Sequence, residues 1–376
     1  MSLPHRRATD ATLATALDEL AVVMVCGSGG VGKTSIAASI AVNEAMRGRR
    51  VCVLTIDPAK RLADAMGLSK LDDRERRVKL PAGTKKSGEL WALMLDPKLA
   101  FDRLVSETAP DPEAQARVLE NRVYQAVSRS TAGVQEYMAL ERLYELDRVG
   151  KYDLIVVDTP PSAHARDLLE SPHRMLRFLE GRSLRWFLKP GMKMGRFGLK
   201  AIGGPGGAVV GLLTRVTGVE MLRDTTEFFE SMEGMYDHIR ERIALVDRMF
   251  ADERTGFLVV ASPERSSIDQ AIDFWDLIAE RRLAFTGSVV NRVEPSAGDE
   301  VAGIDDLMGL PGIDRELAGR LVACQRDHFA VAARDASRLD ELRTAIADAP
   351  VIGVPRLPRM INDLAGLAEL KQYLYE

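Results

Sequence analysis

The stretch Cys26-Gly27-Ser28-Gly29-Gly30-Val31-Gly32-Lys33-Thr34 lies between an apolar run, Leu20 to Val25, and a helix-like run, Ile36 to Met46. Gly27, Gly32, Lys33 and Thr34 fit G-x-x-x-x-G-K-[ST] in the strand-to-helix setting that this pattern requires. Glycines let successive backbone amides turn inward around phosphate oxygens, and the helix N-terminus adds positive potential. Gly29, Gly30, Val31, Gly32, Lys33, Thr34 and Ser35 are therefore expected to line a phosphate site. Lys33 would meet the β- and γ-phosphates, and Thr34 would offer its hydroxyl to Mg²⁺, which prefers oxygen ligands. The chemistry is that of a nucleoside triphosphate.

Two aspartates close apolar runs downstream. Val51 to Ile56 leads into Asp57-Pro58-Ala59, and Leu154 to Val157 leads into Asp158-Thr159-Pro160-Pro161. A carboxylate at the tip of a parallel strand sits on the sheet edge where open α/β folds bind ligands. Asp158 can there hold a Mg²⁺-bound water opposite Thr34. A third strand tip carries Asn291, whose amide offers the donor and acceptor that an adenine edge asks for, or simply serves a turn. Prolines in Val351 to Pro358 could form a wall beside the base.

These residues need a frame. Buried-strand candidates are Val51 to Ile56, Leu90 to Leu95, Leu154 to Asp158, Phe257 to Ala261, Ser288 to Asn291 and Val351 to Val354, separated by helical stretches. The pattern is α/β, a doubly wound, mostly parallel sheet. It is read as one P-loop domain over 1–376, with helical insertions at about 97–150 and 164–250. In the first insertion, Val118, Leu119, Val123, Tyr124 and Val127, then Val134, Tyr137, Met138, Leu140, Leu143 and Tyr144, recur at helical spacing. Gly67 to Gly88 mixes both charge signs and reads as a solvated surface segment.

Composition narrows the class. The chain has 376 residues, 46% of them hydrophobic, enough for a substantial core. With 51 basic against 55 acidic residues, the net charge of −4 gives no global pull toward nucleic acid or anionic membrane. Cys26, Cys52 and Cys324 are too few and too scattered for a disulfide framework and form no C-x-x-C pair. A reducing cytoplasm is expected. The opening Met1 to Asp10 carries no apolar run of signal-peptide length, and no later segment is apolar over the length of a membrane span.

The second insertion is less ordinary. From His173 to Arg215 nine basic residues stand against Glu180 alone, interleaved with Met175, Phe178, Trp186, Phe187, Met192, Met194 and Phe197. Three readings are open: a charged helical surface, an adaptable cover over a hydrophobic client or partner, and peripheral membrane contact. No module for base recognition accompanies the charge, so no nucleic acid is expected. Val219 to Phe250 carries Phe228, Phe229, Met232, Met235, Tyr236, Ile239, Ile243, Val246 and Phe250 on one helical stripe, which is either core or binding surface.

Together, Gly27 to Thr34, Val53-Leu54-Thr55-Ile56-Asp57-Pro58-Ala59-Lys60-Arg61-Leu62-Ala63 and Asp158-Thr159-Pro160-Pro161-Ser162-Ala163-His164 resemble the arsenite-pump and tail-anchored-protein-targeting ATPases, within the deviant-Walker-A class. The resemblance covers most of the chain and implies ATP with Mg²⁺. It implies that Asp57 orients the attacking water, that Lys33 serves phosphate and that Thr34 and Asp158 serve the metal. Pro161 to His164 would sense the γ-phosphate, and Asn291 would face adenine. It also implies a dimer.

Two departures shape the expectation. The class usually carries a second lysine early in the loop that reaches the partner's nucleotide; here Ser28 holds that place and supplies no charge. A heterodimer with a paralogous ATPase subunit is therefore favoured over a homodimer. The three scattered cysteines can build neither a metalloid site nor an interchain zinc site. The functional expectation is a dimeric ATP-hydrolysing switch that handles a hydrophobic client. The alternatives are a slow nucleotide-gated scaffold subunit and a membrane-surface positioning ATPase.

Overall fold

A computed structural model describes residues 12–56, 61–82, 87–130, 134–160, 165–180, 235–296, 301–346, 349–359 and 363–375, together with isolated positions near 224–231, 298 and 361. Two compact units emerge from its contacts. The first is Met1–Met94, Val149–Ala165 and Ala251–Glu376; the second is Leu95–Arg148 and Arg166–Phe250.

The first unit is built on eight strands: β1 (Val22–Cys26), β2 (Arg50–Thr55), β3 (Arg76–Val78), β4 (Glu89–Met94), β5 (Leu154–Asp158), β6 (Thr255–Ala261), β7 (Ala284–Val293) and β8 (Val351–Pro355). Their order is β3-β4-β2-β5-β1-β6-β7-β8, all parallel except β3, which runs antiparallel to β4. Every residue of β1, β5 and β6 is buried. Such uninterrupted apolar runs are what a sheet covered on both faces requires, and they explain why these strands show no alternation. The order places the Val22–Cys26 tip between the tips of β5 and β6, so the loop that follows opens on the carboxyl edge of the sheet.

Helix starts follow local rules. Asp96 and Asp111 each precede a proline at the first helical position, and their side chains accept the amides of Leu99 and Ala114. Asp314 and Asp363 cap the helices Arg315–Ala345 and Leu364–Glu369 in the same way. At the amino edge of the sheet, Arg50 and Asp153 form a bidentate pair that ties the start of β2 to the segment entering β5. Beside it Glu44, fully buried, receives Arg47 at 2.7 Å and Arg49 at 3.0 Å. Two cations offset the cost of burying that carboxylate.

The surface reading of Gly67 to Gly88 needs correction. Arg76–Val78 within it pairs with β4 as an edge strand, and Val78 is buried. Three residues with two arginines give almost no apolar periodicity, and a short charged edge strand discourages further pairing.

The second unit is helical: Pro97–Thr108, Pro112–Glu120, Arg122–Ser130, Val134–Val149, Ala165–Glu180 and Tyr236–Ala251. The periodic run around Val118 to Val127 is two helices, because Asn121 interrupts it and its side chain accepts the amide of Val123. Phe101 and Tyr124 pack at 5.1 Å between ring centroids, and the Tyr124 hydroxyl donates to Asp102. Phe228, Met235, Ile239, Ile243, Val246 and Phe250 are buried, so the described part of that stripe is core. Arg242 at its polar margin reaches the buried Glu141 and the exposed Glu107. Of the basic stretch His173 to Arg215, residues up to Glu180 belong to the helix Ala165–Glu180, and the rest lies outside the described residues.

Candidate active site

The loop between β1 and the helix Lys33–Met46 is shaped by close approach. Gly27 has φ +149, and a Cβ there would lie 2.1 Å from the carbonyl oxygen of Val260 in β6. No side chain fits. Gly32 is the helix N-cap at φ 98, and its Cβ would fall 2.3 Å from Nδ2 of Asn291. A glycine cap supplies no side-chain acceptor to the first-turn amides, which suits a helix start that receives an anion. Gly30, at φ +80, faces open space.

Lys33 is 6% exposed and its Nζ donates to the carbonyl of Ser28 at 2.8 Å, so the ammonium lies over its own loop. The Ser28 hydroxyl is 3.3 Å from that of Ser267, and Ser267 Oγ also accepts the amide of Ser262 at 2.9 Å. Asn291, near the end of β7, donates from Nδ2 to the carbonyl of Val31 at 2.8 Å. The residue expected to face a base thus stands against the phosphate loop itself.

On the other side of β1, the two residues expected to serve a metal are brought together. Thr34 Oγ1 donates to Asp158 Oδ2 at 2.9 Å, and Asp158 is fully buried at the tip of β5. Thr55, at the end of β2, donates to the same oxygen at 3.0 Å. Two hydroxyl donors on one carboxylate oxygen hold its orientation. Sequence reasoning missed Thr55. Its hydroxyl, two residues before Asp57, gains meaning only once β2 is known to lie beside β5. Ser267 gave no signal, being remote in sequence and lacking a motif of its own.

Thr159 fastens the same tip to β1, donating from its hydroxyl to the carbonyl of Val25 at 2.9 Å. Cys26 lies beneath. Burial pushes its thiol up to about 12, against smaller downward pulls from Thr159 and Lys33. Ser35 occupies the first turn of the loop helix, half-buried. Asp57 and the segment 161–164, expected to orient water and to sense the γ-phosphate, lie outside the described residues. Among the described residues no helix is long and apolar enough to cross a membrane.

The site therefore joins an amide-rich loop, a buried ammonium, and a hydroxyl and carboxylate in contact. That donor set has the chemistry to suit phosphate oxygens on one side and a hard cation on the other. Comparison with known proteins points the same way. A family model for anion-transporting ATPases matches residues 20–304, a span that holds the loop, Thr55, Asp158, Ser267 and Asn291. ATPase GET3A of Arabidopsis thaliana is 26% identical over 288 residues, covering 76% of this chain and 70% of that protein. ATPase GET3 of Podospora anserina is 27% identical over 289 residues, covering 76% and 77%. ATPase ARSA2 of Chlamydomonas reinhardtii is 27% identical over 295 residues, covering 76% and 71%. With a nucleotide loop of this geometry and a family match over most of its length, the chain is a nucleotide-binding ATPase and belongs to the anion-transporting ATPase family.

Proposed function

We propose that ATP hydrolysis here drives a switch that couples the phosphate loop to the helical insertions, and that the insertions handle a hydrophobic client or partner. One observation carries the reading: the hydroxyl of Thr34 bonded to the carboxylate of Asp158. Asp158 ends β5, and the chain on both sides of β5 runs into the second unit, from Arg148 before it and toward Arg166 after it. A change in what Thr34 and Asp158 hold therefore acts on a strand with the insertion at both ends. The resemblance to tail-anchored-protein-targeting ATPases supports a hydrophobic client, and the scattered cysteines support action in a reducing cytoplasm.

The residues fit magnesium and ATP. Thr34 and Asp158 offer the oxygen ligands that Mg²⁺ selects, and bound Mg²⁺ would neutralise charge on the terminal phosphates. Gly29 to Ser35 cradle the phosphates and Lys33 balances the transferred group. Asp57 orients the attacking water, and positioning of this kind dominates phosphoryl transfer. Asn291 faces the base.

The second element is asymmetry. Ser28 cannot reach a partner's nucleotide with a charge, and its hydroxyl lies beside Ser267 of its own chain. We infer a dimer with a paralogous subunit that keeps the lysine, so that the nucleotide bound here is completed in trans. The test is phosphate release by the isolated chain, by the Ser28→Lys variant, and by the chain mixed with a paralogue. The isolated chain should be slow, and both S28K and the paralogue should raise turnover at least about a hundredfold, the lower end of what one transition-state donor contributes. Full turnover by the isolated chain, unchanged in S28K, refutes the asymmetric dimer. Protection of the helix Ala165–Glu180 from hydrogen exchange by an apolar peptide, different in ATP and ADP, tests the client; no difference refutes it.

A further inference from the structure

Three residues beyond Asn291 the chain is clasped unusually firmly. The register of β7 on β8 shifts between Asn291 and Val293, and Arg292 sits at φ 66, in the left-handed region a non-glycine residue rarely adopts. Such a bulge persists only where its surroundings over-determine it. Glu294 supplies that determination. Its amide donates to Asp335 Oδ2 at 3.0 Å, and Asp335 is 2% exposed on the helix Arg315–Ala345. Its carboxylate takes His328 Nε2 at 3.0 Å through one oxygen and Arg356 Nε at 3.0 Å through the other. His328 and Asp335 are two turns apart on one helix face. Arg356, just after β8, also donates its amide to the carbonyl of Val293 at 2.8 Å.

We infer that Glu294 is a positioning residue for base recognition: it fixes the bulge that aims Asn291 and ties it to the turn 355–358 that walls the same edge. The inference rests on the reading that Asn291 faces the base. Asn291 has two amide orientations that would present opposite edges, one matching adenine and the other guanine. The bond from Nδ2 to the carbonyl of Val31 fixes which orientation is held. The bulge and the Glu294 clasp fix where the amide stands. Displacing the tip of β7 frees the side chain from Val31, and a freed amide turns to suit either purine. The clasp therefore sets the preference for adenine over guanine, which a merely structural tie would not.

A tie that only holds the sheet edge together would lower stability and weaken all nucleotides alike. Arg356 is 65% exposed in its side chain, and an ion pair that open contributes little to stability. The test is the affinity of the full chain for ATP and for GTP by calorimetry, with thermal unfolding in parallel, for wild type, Asn291→Ala, Glu294→Ala and Arg356→Ala. N291A should reduce the ATP-to-GTP affinity ratio about tenfold, E294A at least about fivefold and R356A about threefold, with R356A unfolding near the wild-type temperature. A ratio that falls in N291A but holds in both E294A and R356A overturns the positioning role and leaves the base reading standing. A ratio unmoved in all three overturns the base reading and the inference with it. If E294A does not fold, R356A alone decides: a reduced ratio supports the clasp and an unchanged one overturns it.

Discussion

Thr55, closing β2, and Thr34, in the helix that follows β1, donate to the same oxygen of Asp158 at 3.0 and 2.9 Å, reaching it from the two neighbours of β5. The two hydroxyls hold one carboxylate but have different jobs. Thr34 opens the helix after the loop and is the hydroxyl proposed to meet a metal, whereas Thr55 is 1% exposed and donates to Asp158. Thr55→Val, of nearly the same shape, should cost about 1–3 kcal/mol of stability, the range for a hydrogen bond to a charged group, and about tenfold in turnover. Thr34→Val should leave stability near wild type and lower turnover at least about a hundredfold. Urea unfolding and phosphate release measure both, and equal effects in the two variants would refute the division of roles.

The glycines of the loop divide in the same way. Gly27→Ala places a Cβ 2.1 Å from a backbone carbonyl of β6, so strand or loop must move. Loss of more than about 2 kcal/mol and of nucleotide binding should follow. Gly30→Ala meets open space and bears only the strain of a left-handed backbone, about 1 kcal/mol. Calorimetric nucleotide titration of both variants would expose a mistaken loop geometry if G30A proved the more damaging.

Thiol reactivity should be sharply graded. Cys26 and Cys52 are buried and Cys324 is exposed, and burial holds the Cys26 thiol at about 12. A neutral thiol is a poor nucleophile. At neutral pH the folded protein should titrate one thiol with a chromogenic disulfide and the unfolded protein three; rapid modification of Cys26 in the folded state would contradict the burial of the loop floor.

Acid should loosen the amino edge of the sheet. The Arg50 guanidinium hydrogen-bonded to Asp153 holds its carboxyl below the usual range, and the Arg50 amide adds to this against some desolvation. A lowered folded value means that the contribution is present above the unfolded carboxylate value and is lost as pH falls through the folded one. The stability difference between wild type and Asp153→Asn should therefore shrink as pH falls below about 4, the ordinary carboxylate value, and high salt should shrink it too, since both side chains are partly exposed. A difference independent of pH would refute the pair's role.

Much of this was legible in sequence because parallel strands covered on both faces leave continuous apolar runs. Val22–Cys26 and Leu154–Asp158 announce themselves, and the motif residues at their tips need only that placement. β3 was not legible, since three residues with two arginines carry no period. Nor was the break at Asn121, where a side chain replaces a backbone partner without disturbing the hydrophobic spacing. The remote partners were least accessible. Thr55 required knowing that β2 lies beside β5, and Ser267 and Glu294 become meaningful only when strand order brings their elements to the loop and to β8. Register and adjacency are properties of the sheet, which local pattern does not encode.

The strand order has a last consequence, for how the protein is made. β1 lies between β5 and β6, and Val31 is held by Asn291, 260 residues further along the chain. A ribosome emits the phosphate loop early, yet its floor and its clasp emerge only after the whole second unit. Contacts of such separation form slowly and leave earlier segments exposed meanwhile. Nucleotide affinity thus arises late in synthesis, and the loop's own motif residues acquire it only from strands that follow them by hundreds of codons.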